Sequence, residues 1–126
     1  MNSVLLIMDK LTREERERNI ILLDIYRTFY YYCAAGLPPG LVGTDLFHPG
    51  SDLNESAIRL LEEDGVENFL EPDDFVFMMH QGYFFFYFKA NGDPDPIVFG
   101  YYEQKLKPEN FGPLSLFIQK LKKEQL

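Results

Sequence analysis

The sequence predicts an α+β protein in which an antiparallel sheet is flanked by N-terminal helices and a C-terminal helix. Apolar residues recur at helical spacing near both ends of the chain, whereas three closely spaced β-prone segments lie between residues 75 and 103. The chain has 126 residues, which is close to the common size of one domain, and it contains no low-complexity linker. We therefore expect residues 1–126 to form one domain.

The N-terminal part of the chain is predicted to form one long helix from Thr12 to about Ala35. Thr12 and Glu15 have the spacing of a capping box, in which the threonine hydroxyl accepts a hydrogen bond from the N–H of Glu15 and the glutamate reaches back. Dense apolar residues from Ile20 onward follow helical spacing and indicate that the second half is largely covered. Gly36 suits the end of this helix, because glycine adopts the left-handed conformation easily.

A second helix is predicted from Leu53 to Asp64. Asp52 is a good N-cap residue, Glu55 follows it three positions later, and Gly65 is placed to end the helix. The segment 41–47, which lies between the two predicted helices, could form a short strand or an irregular arm.

Three β-prone segments follow in close succession and predict an antiparallel meander at about residues 75–103. These segments are Phe75 to His80, Tyr83 to Phe88 and Ile97 to Glu103. The run from Asn91 to Pro96 consists of Asn, Gly, Asp and Pro, which is a strong turn signal between the second and third strands.

The C-terminal helix is predicted from the spacing of its apolar residues and from the lysines near its end, which complement the helix dipole. Residues 105–110 are expected to form a polar link, and Asn110 and Pro113 suit a helix start. The apolar positions i, i+3, i+4 and i+7 are Leu114, Phe117, Ile118 and Leu121.

The charge and composition of the chain exclude some classes of function. Twenty acidic against 12 basic residues give a net charge of −8, which opposes nucleic-acid binding because phosphates require a clustered basic surface. The same charge favours encounter with a basic protein, or serves solubility alone. No apolar run approaches the roughly 20 residues of a membrane span, so we expect no membrane partner. The single cysteine, Cys33, lies in an apolar stretch and is typical of an inert, buried thiol in a reducing, cytoplasmic compartment.

The sequence contains no recognisable catalytic, cofactor or metal signature. No glycine pattern resembles a phosphate-binding loop, and no Gly-x-Ser-x-Gly elbow is present. A zinc site requires three or four nitrogen and sulfur ligands, whereas the chain offers one cysteine and the distant His48 and His80. We therefore assign no catalytic residue, no cofactor and no metal ligand, and we expect His80 to fix a turn by hydrogen bonding.

Acidic residues gather at the predicted strand ends. Glu71, Asp73 and Asp74 precede one strand, and Asp93 and Asp95 lie in the turn between the next two. An antiparallel meander brings both groups to the same end of the sheet. Such a cluster could hold a divalent cation through oxygen ligands, meet a basic partner, or simply punctuate strand ends.

Six aromatic residues in succession, from Tyr83 to Phe88, form the most unusual segment of the chain. In a strand, the side chains of Tyr83, Phe85 and Tyr87 point to one face and three phenylalanines point to the other, so both faces are apolar and each must be covered. The face with the tyrosines, joined by Tyr101 or Tyr102, suits a protein interface; the alternative is a sheet buried on both sides by the helices. The candidate partner-binding residues are Tyr83, Phe85, Tyr87, Asp93, Asp95, Tyr101, Tyr102 and Glu103.

The segment from Asp73 to Phe88 resembles bacterial members of the SUKH superfamily, which includes a yeast cell-wall assembly regulator and many bacterial immunity proteins. The resemblance continues through residues 93–103 and the closing helix at 111–118, and residues 37–39, Leu-Pro-Pro, stand where the family often has a Leu-Pro step. Many members follow that step with a short helix and an Asn-Gly-Gly turn, whereas residues 40–44 of this chain are Gly-Leu-Val-Gly-Thr.

The resemblance implies an α+β fold and a non-enzymatic role. Bacterial members of the family bind and neutralise toxins, often nucleases, so it implies an immunity protein whose partner is a basic toxin domain. A regulatory scaffold that binds a cellular protein, by analogy with the yeast member, is a second interpretation. A metal-dependent hydrolase that uses the acidic end of the sheet is a third.

Overall fold

The fold is α+β, as the sequence predicts. The computed structural model describes residues 3–35, 44–46, 52–80, 84–103, 105 and 107–124; the predicted helix stop at Gly36, the residues around His48, and Tyr83 lie outside these ranges. None of the described helices combines the length and the apolar character needed to cross a membrane. In chain order, the elements within the described ranges are α1 (Ser3–Arg18), α2 (Asp24–Ala35), β1 (Thr44–Leu46), α3 (Leu53–Glu63), β2 (Asp74–His80), β3 (Phe84–Lys89), β4 (Ile97–Tyr102), β5 (Pro108–Pro113) and α4 (Leu114–Glu124).

The prediction of one long N-terminal helix is wrong in its start and in its continuity. α1 begins at Ser3 and ends at Arg18, so Thr12 lies inside a helix and does not cap one. Asn19, which follows α1, has a φ of 55°, and α2 begins only at Asp24. A left-handed residue of this kind ends a helix, because the backbone N–H groups beyond it leave the helical hydrogen-bond pattern.

The segment between α1 and α2 runs as an extended chain. Ile20 and Leu22 are buried, whereas Ile21 is 48% exposed, which is the alternation of a strand. The Ile21 N–H donates to the carbonyl oxygen of Ala90 at 2.9 Å, and Ile21 forms a parallel bridge with Asn91. The apolar residues that predicted a continuous helix therefore form a short connection to the sheet.

Two charged side chains hold this connection in place. The Glu15 carboxylate accepts a hydrogen bond from the N–H of Leu22 at 2.5 Å and pairs with the Arg27 guanidinium. Arg27 Nε in turn donates to the carbonyl oxygen of Leu22 at 2.7 Å. Glu15 therefore supports the entry to α2 and does not complete a capping box with Thr12.

The described strands form a five-stranded sheet with the order β1-β2-β3-β4-β5, in which each strand is antiparallel to its neighbours. The predicted meander corresponds to β2, β3 and β4 and is confirmed. In its register Phe85 lies opposite Met79 on one side and Tyr101 on the other. β2 has an irregularity between Val76 and Met78, where the pairing with β3 shifts by one residue.

The fifth strand replaces the predicted polar link and the part of the predicted helix start at Asn110. Asn110 lies opposite Phe99 in the ladder, so it does not belong to the helix start. α4 begins at Leu114, directly after Pro113, so the predicted C-terminal helix and the part of its start at Pro113 are confirmed. β5 has proline at both ends, Pro108 and Pro113. Proline lacks the N–H that a central strand needs, which suits β5 to its position at the edge of the sheet.

α3 agrees with the second predicted helix to within one residue. Asp52 Oδ1 accepts a hydrogen bond from the N–H of Glu55 at 2.9 Å, which is the predicted N-cap. Asn54 joins α3 to the sheet, because its amide donates to the carbonyl oxygen of Asp74 at 2.7 Å and accepts from the N–H of Val76 at 3.0 Å. The Asn54 side chain thus provides hydrogen-bond partners for the backbone in the first part of β2, whereas β1 pairs only with the last part, from Met78 to His80.

Both faces of the sheet are covered. On one face, the ring of Tyr26 in α2 lies edge-on to Phe75 at 5.3 Å between centroids, and Phe117 in α4 lies 5.1 Å from Phe86. On the other face, Phe69 and the end of α3 lie against β3 and β4. Aromatic residues therefore fill both sides of β3 because each side faces a packed layer.

Candidate functional site

The face of the sheet that carries Phe85, Tyr87 and Tyr101 is buried. Phe85 and Tyr101 are 0% exposed and Tyr87 is 6% exposed. Phe69, which follows α3, lies over all three rings, with centroid distances of 6.4 Å to Phe85 and 6.0 Å to each tyrosine. The structure thus contradicts the interpretation of these three residues as an exposed patch, and it agrees with the alternative of a sheet buried on both sides.

The tyrosines on this face remain protonated at neutral pH. Tyr101 Oη donates to Asp64 Oδ2 at 2.6 Å. Burial, and then this hydrogen bond, raise the pKa of Tyr101 above its ordinary value. Burial, and then the nearby Asp74 carboxylate, raise the pKa of Tyr87 to about 12. Both phenols therefore have the properties of core groups and not of acid–base catalysts that work near neutral pH.

Other predicted binding residues are divided between faces and ends of the sheet. Tyr102 is half-buried on the face opposite to Tyr101, and its ring lies 4.9 Å from that of Phe84. Glu103 is exposed just after β4, at the end of the sheet opposite to the turn that carries Asp93. The predicted set therefore does not form one continuous surface.

The acidic cluster at the other end of the sheet surrounds a lysine. As predicted, Asp73 and the turn after β3 meet there, and the Ala90 N–H donates to the carbonyl oxygen of Asp73 at 2.7 Å. Lys89 Nζ lies 2.6 Å from Glu71 Oε1, 3.1 Å from Asp73 Oδ1 and 3.2 Å from Asp74 Oδ1. Burial alone would lower the pKa of Lys89, but hydrogen bonds to these three carboxylates outweigh burial and raise it. A lysine ammonium thus lies where one interpretation of the sequence placed a divalent cation.

Asp95 caps α4 from the turn before β4. Its Oδ1 accepts from the N–H of Ser115 at 2.9 Å, and its Oδ2 accepts from Ser115 Oγ at 2.6 Å. Asp93 is exposed, and its Oδ1 accepts from the N–H of Asp95 at 3.0 Å. In the part of the chain that the structure describes, no group of three or more His, Cys, Asp or Glu side chains is arranged to hold a metal ion.

A groove between α2 and α4, which the sequence did not predict, has a volume of about 380 Å³. On α2 its apolar lining repeats at helical spacing and ends at Tyr32, which is 44% exposed. In the sequence, the same spacing indicated a helix whose apolar face packs inward. The one feature that could have indicated a groove is that the apolar face ends in a tyrosine, Tyr32, a residue type that suits the boundary between core and water. The lining residues that matter for the α2–α4 groove are Asp24, Ile25, Thr28, Phe29, Tyr32, Ser115 and Ile118.

Exposed carboxylates that have no basic partner among the described side chains are the other notable feature of the surface. Glu62 and Glu63 lie at the end of α3, and Glu67 lies in the segment that follows. Asp24 lies at the start of α2, and Asp93 lies in the turn before β4. None of these five carboxylates forms an ion pair with a lysine or arginine whose side chain the structure describes.

Neither a protein-family model, nor a curated protein, nor a solved structure matches this chain. The candidate site is therefore defined by its own geometry. It consists of the α2–α4 groove together with the exposed carboxylates, and it differs from the set that the sequence indicated mainly because the tyrosines are buried.

Proposed function

We propose that this chain is a non-enzymatic protein-binding module of the immunity type, which neutralises a toxin domain by covering a basic surface of that domain. The observation that carries the proposal is the presence of exposed carboxylates that have no described basic partner, among them Glu62, Glu63, Glu67, Asp24 and Asp93. The net charge of −8 shows that the whole chain, and not only this set of residues, has an excess of negative charge.

Electrostatics gives these carboxylates a function in recognition. Exposed charges of one sign raise the rate of encounter with a partner of the opposite sign by roughly 10-fold to 1,000-fold, and added salt screens the effect. The charges that already have partners, such as Lys89 with Glu71 and Asp73, contribute less to this field. Glu62 and Glu63 lie at the end of α3 and Glu67 lies four residues after it, which makes this segment the strongest candidate for the first contact.

The resemblance of the segment from Asp73 to Phe88 to the SUKH superfamily supports the more specific part of the proposal. Immunity proteins in that family neutralise toxins, and nuclease toxins are basic because they bind nucleic acid. Cys33 is buried and is the single cysteine of the chain, so it forms no internal disulfide, which is compatible with a reducing cytoplasm as the site of neutralisation. We therefore propose a basic toxin domain of the nuclease class as the partner.

The proposal is tested by affinity capture of the protein encoded next to this chain, at low salt and at about 0.15 M salt. We expect a basic domain to be captured, with weaker binding at the higher salt concentration. Replacement of Glu62, Glu63 and Glu67 by lysine should weaken binding by about tenfold or more. The matched control replaces the same three residues by glutamine and should give an intermediate loss. Capture of no protein at either salt concentration, or equal binding by the lysine variant, would refute the proposal.

A further inference from the structure

The α2–α4 groove has a shape in which a third helix can pack. α2 and α4 begin at the same end of the sheet, since the Ile21 N–H bonds to the Ala90 carbonyl oxygen at 2.9 Å and the Leu114 N–H bonds to the Pro96 carbonyl oxygen at 2.8 Å. The two helices therefore run side by side from that end, and their outer ridges form the walls of the groove. Two adjacent ridges of this kind are the surface into which the ridge of another helix packs.

The spacing of the lining residues sets the length of the occupant. On α2 the apolar part of the lining runs from Ile25 to Tyr32, a separation of seven positions or about 10 Å of helix. On α4 the lining includes Ser115 and Ile118, which are three positions apart. An amphipathic helix that presents apolar residues at i, i+3, i+4 and i+7 covers the same distance with one face.

Charge distinguishes between the possible occupants. Asp24 lines the groove, is exposed, and has no ion pair with a described lysine or arginine. A second copy of this chain would bring another net charge of −8 to the same place, so self-association is opposed by repulsion. A partner helix with lysine or arginine beside its apolar face would instead complement Asp24.

We propose that the α2–α4 groove binds a basic amphipathic helix of the partner protein, with the apolar face of that helix against Ile25, Phe29 and Ile118 and a basic residue beside Asp24. This inference rests on the proposed protein-binding function. It adds the structural class of the segment that is bound and the place where it binds.

The probe is a synthetic peptide of about 15 residues, long enough to form a helix, with leucines at i, i+3, i+4 and i+7 and lysines on its flanks. A matched peptide carries glutamates in place of the lysines. Titration followed by NMR should show saturable binding of the lysine peptide, with shifts of the Ile25 and Ile118 methyl groups, and binding of the glutamate peptide that is about tenfold weaker or less. Equal binding of the two peptides, shifts confined to other parts of the molecule, or no saturation would overturn the inference.

Variants of the protein identify the surface that is used. Ile118→Glu should abolish binding of the lysine peptide, and Leu116→Glu, which changes an exposed apolar residue on α4 outside the lining, is the matched control. If Ile118→Glu fails to fold, Thr28→Arg replaces an exposed lining residue and serves the same purpose. Asp24→Lys should weaken binding more than Asp24→Asn. A dimer of this chain that Ile118→Glu dissolves would assign the groove to self-association and overturn the inference.

The same variants separate this inference from the proposed function. If wild-type protein and Ile118→Glu capture the neighbouring basic protein equally well, the helix-docking inference fails and the binding function stands. If the wild-type protein captures no partner, the binding function fails whatever the peptide result.

Discussion

Gly100 is the position at which the packing of the sheet can be tested most directly. It lies in β4, and a Cβ built on it would be 2.6 Å from Phe111 Cε2 and 2.8 Å from Phe86 Cδ1 and Cε1. These distances are shorter than a van der Waals contact by about an ångström, since carbon atoms pack best at roughly 3.5–4.0 Å. Gly100→Ala therefore requires both rings or the strand itself to move.

The expected cost follows from the surroundings of the site. Phe86 is 8% exposed and lies 5.1 Å from the ring of Phe117, so it has little room to move. Overpacking of a core in this way costs about 1–3 kcal/mol of the free energy of unfolding. Alanine also restricts the unfolded chain, which offsets about 0.4–1 kcal/mol. We expect a net loss of about 1–2 kcal/mol.

The measurement is urea denaturation of the wild type, of Gly100→Ala and Phe111→Ala, and of the double variant. Removal of the Phe111 ring takes away the closest contact, so the double variant should lose less stability than the sum of the two single variants. Gly65→Ala is a useful comparison, because Gly65 has a φ of +73° and no heavy atom within 4 Å of a built Cβ, so its cost comes from backbone strain alone. A Gly100→Ala variant as stable as the wild type, or additive single effects, would show that the argument from packing is mistaken.

Two further predictions concern the cap of α4 and the buried phenols. Asp95→Ala removes both acceptors of Ser115 and should cost about 1 kcal/mol in urea denaturation, whereas Asp93→Ala should change stability by less than about 0.5 kcal/mol; equal losses would contradict the assignment of the cap. The folded-state pKa values of Tyr87, about 12, and of Tyr101 are raised. The folded state therefore retains these protons longer than the unfolded state, so their stabilising contribution is complete below about pH 10 and is lost as the pH rises towards the folded-state values. When unfolding is measured at several pH values above 10, the free energy of unfolding should fall by up to about 1.4 kcal/mol per pH unit for each phenol. Tyr101→Phe should remove the contribution of one phenol to this slope, and an unchanged slope would contradict the pKa shift of Tyr101.

The parts of the fold that the sequence predicted correctly depend on local chemistry. The N-cap at Asp52 needs only Glu55 three residues later, and Gly65 after α3 has the positive φ that a helix end requires. The turn signal from Asn91 to Pro96 likewise separates β3 from β4 without help from distant residues. Such features are decided by neighbours in the chain, so they can be predicted from the sequence.

The errors have a common physical origin in contacts between residues that are distant in the sequence. Ile20, Ile21 and Leu22 suit either a helix or a strand, and the bond to Ala90 favours the extended form. β5 has no alternation of apolar and polar residues, and only its pairing with β4 identifies it as a strand.

The candidate site was misplaced for the same reason. Nothing in the sequence around Phe69 indicates that this residue covers Phe85 and Tyr101, so the apolar face of β3 could be read equally well as an interface or as core. The α2–α4 groove depends on the distance between two helices that lie far apart in the chain, and no local pattern contains that distance.

The hydrogen bond from Ile21 to Ala90 also has a consequence for the order of folding. β2, β3 and β4 pair through short connections, so the entropy of closing their loops is small, whereas residues 21 and 90 can meet only after most of the chain has been brought together. We expect the meander to be formed in the transition state for folding and the connection between α1 and α2 to dock later. Conservative substitutions at Val98 should then mainly slow folding, and those at Leu22 should mainly speed unfolding, so the N-terminal helices determine how long the folded molecule persists and have little influence on how fast it forms.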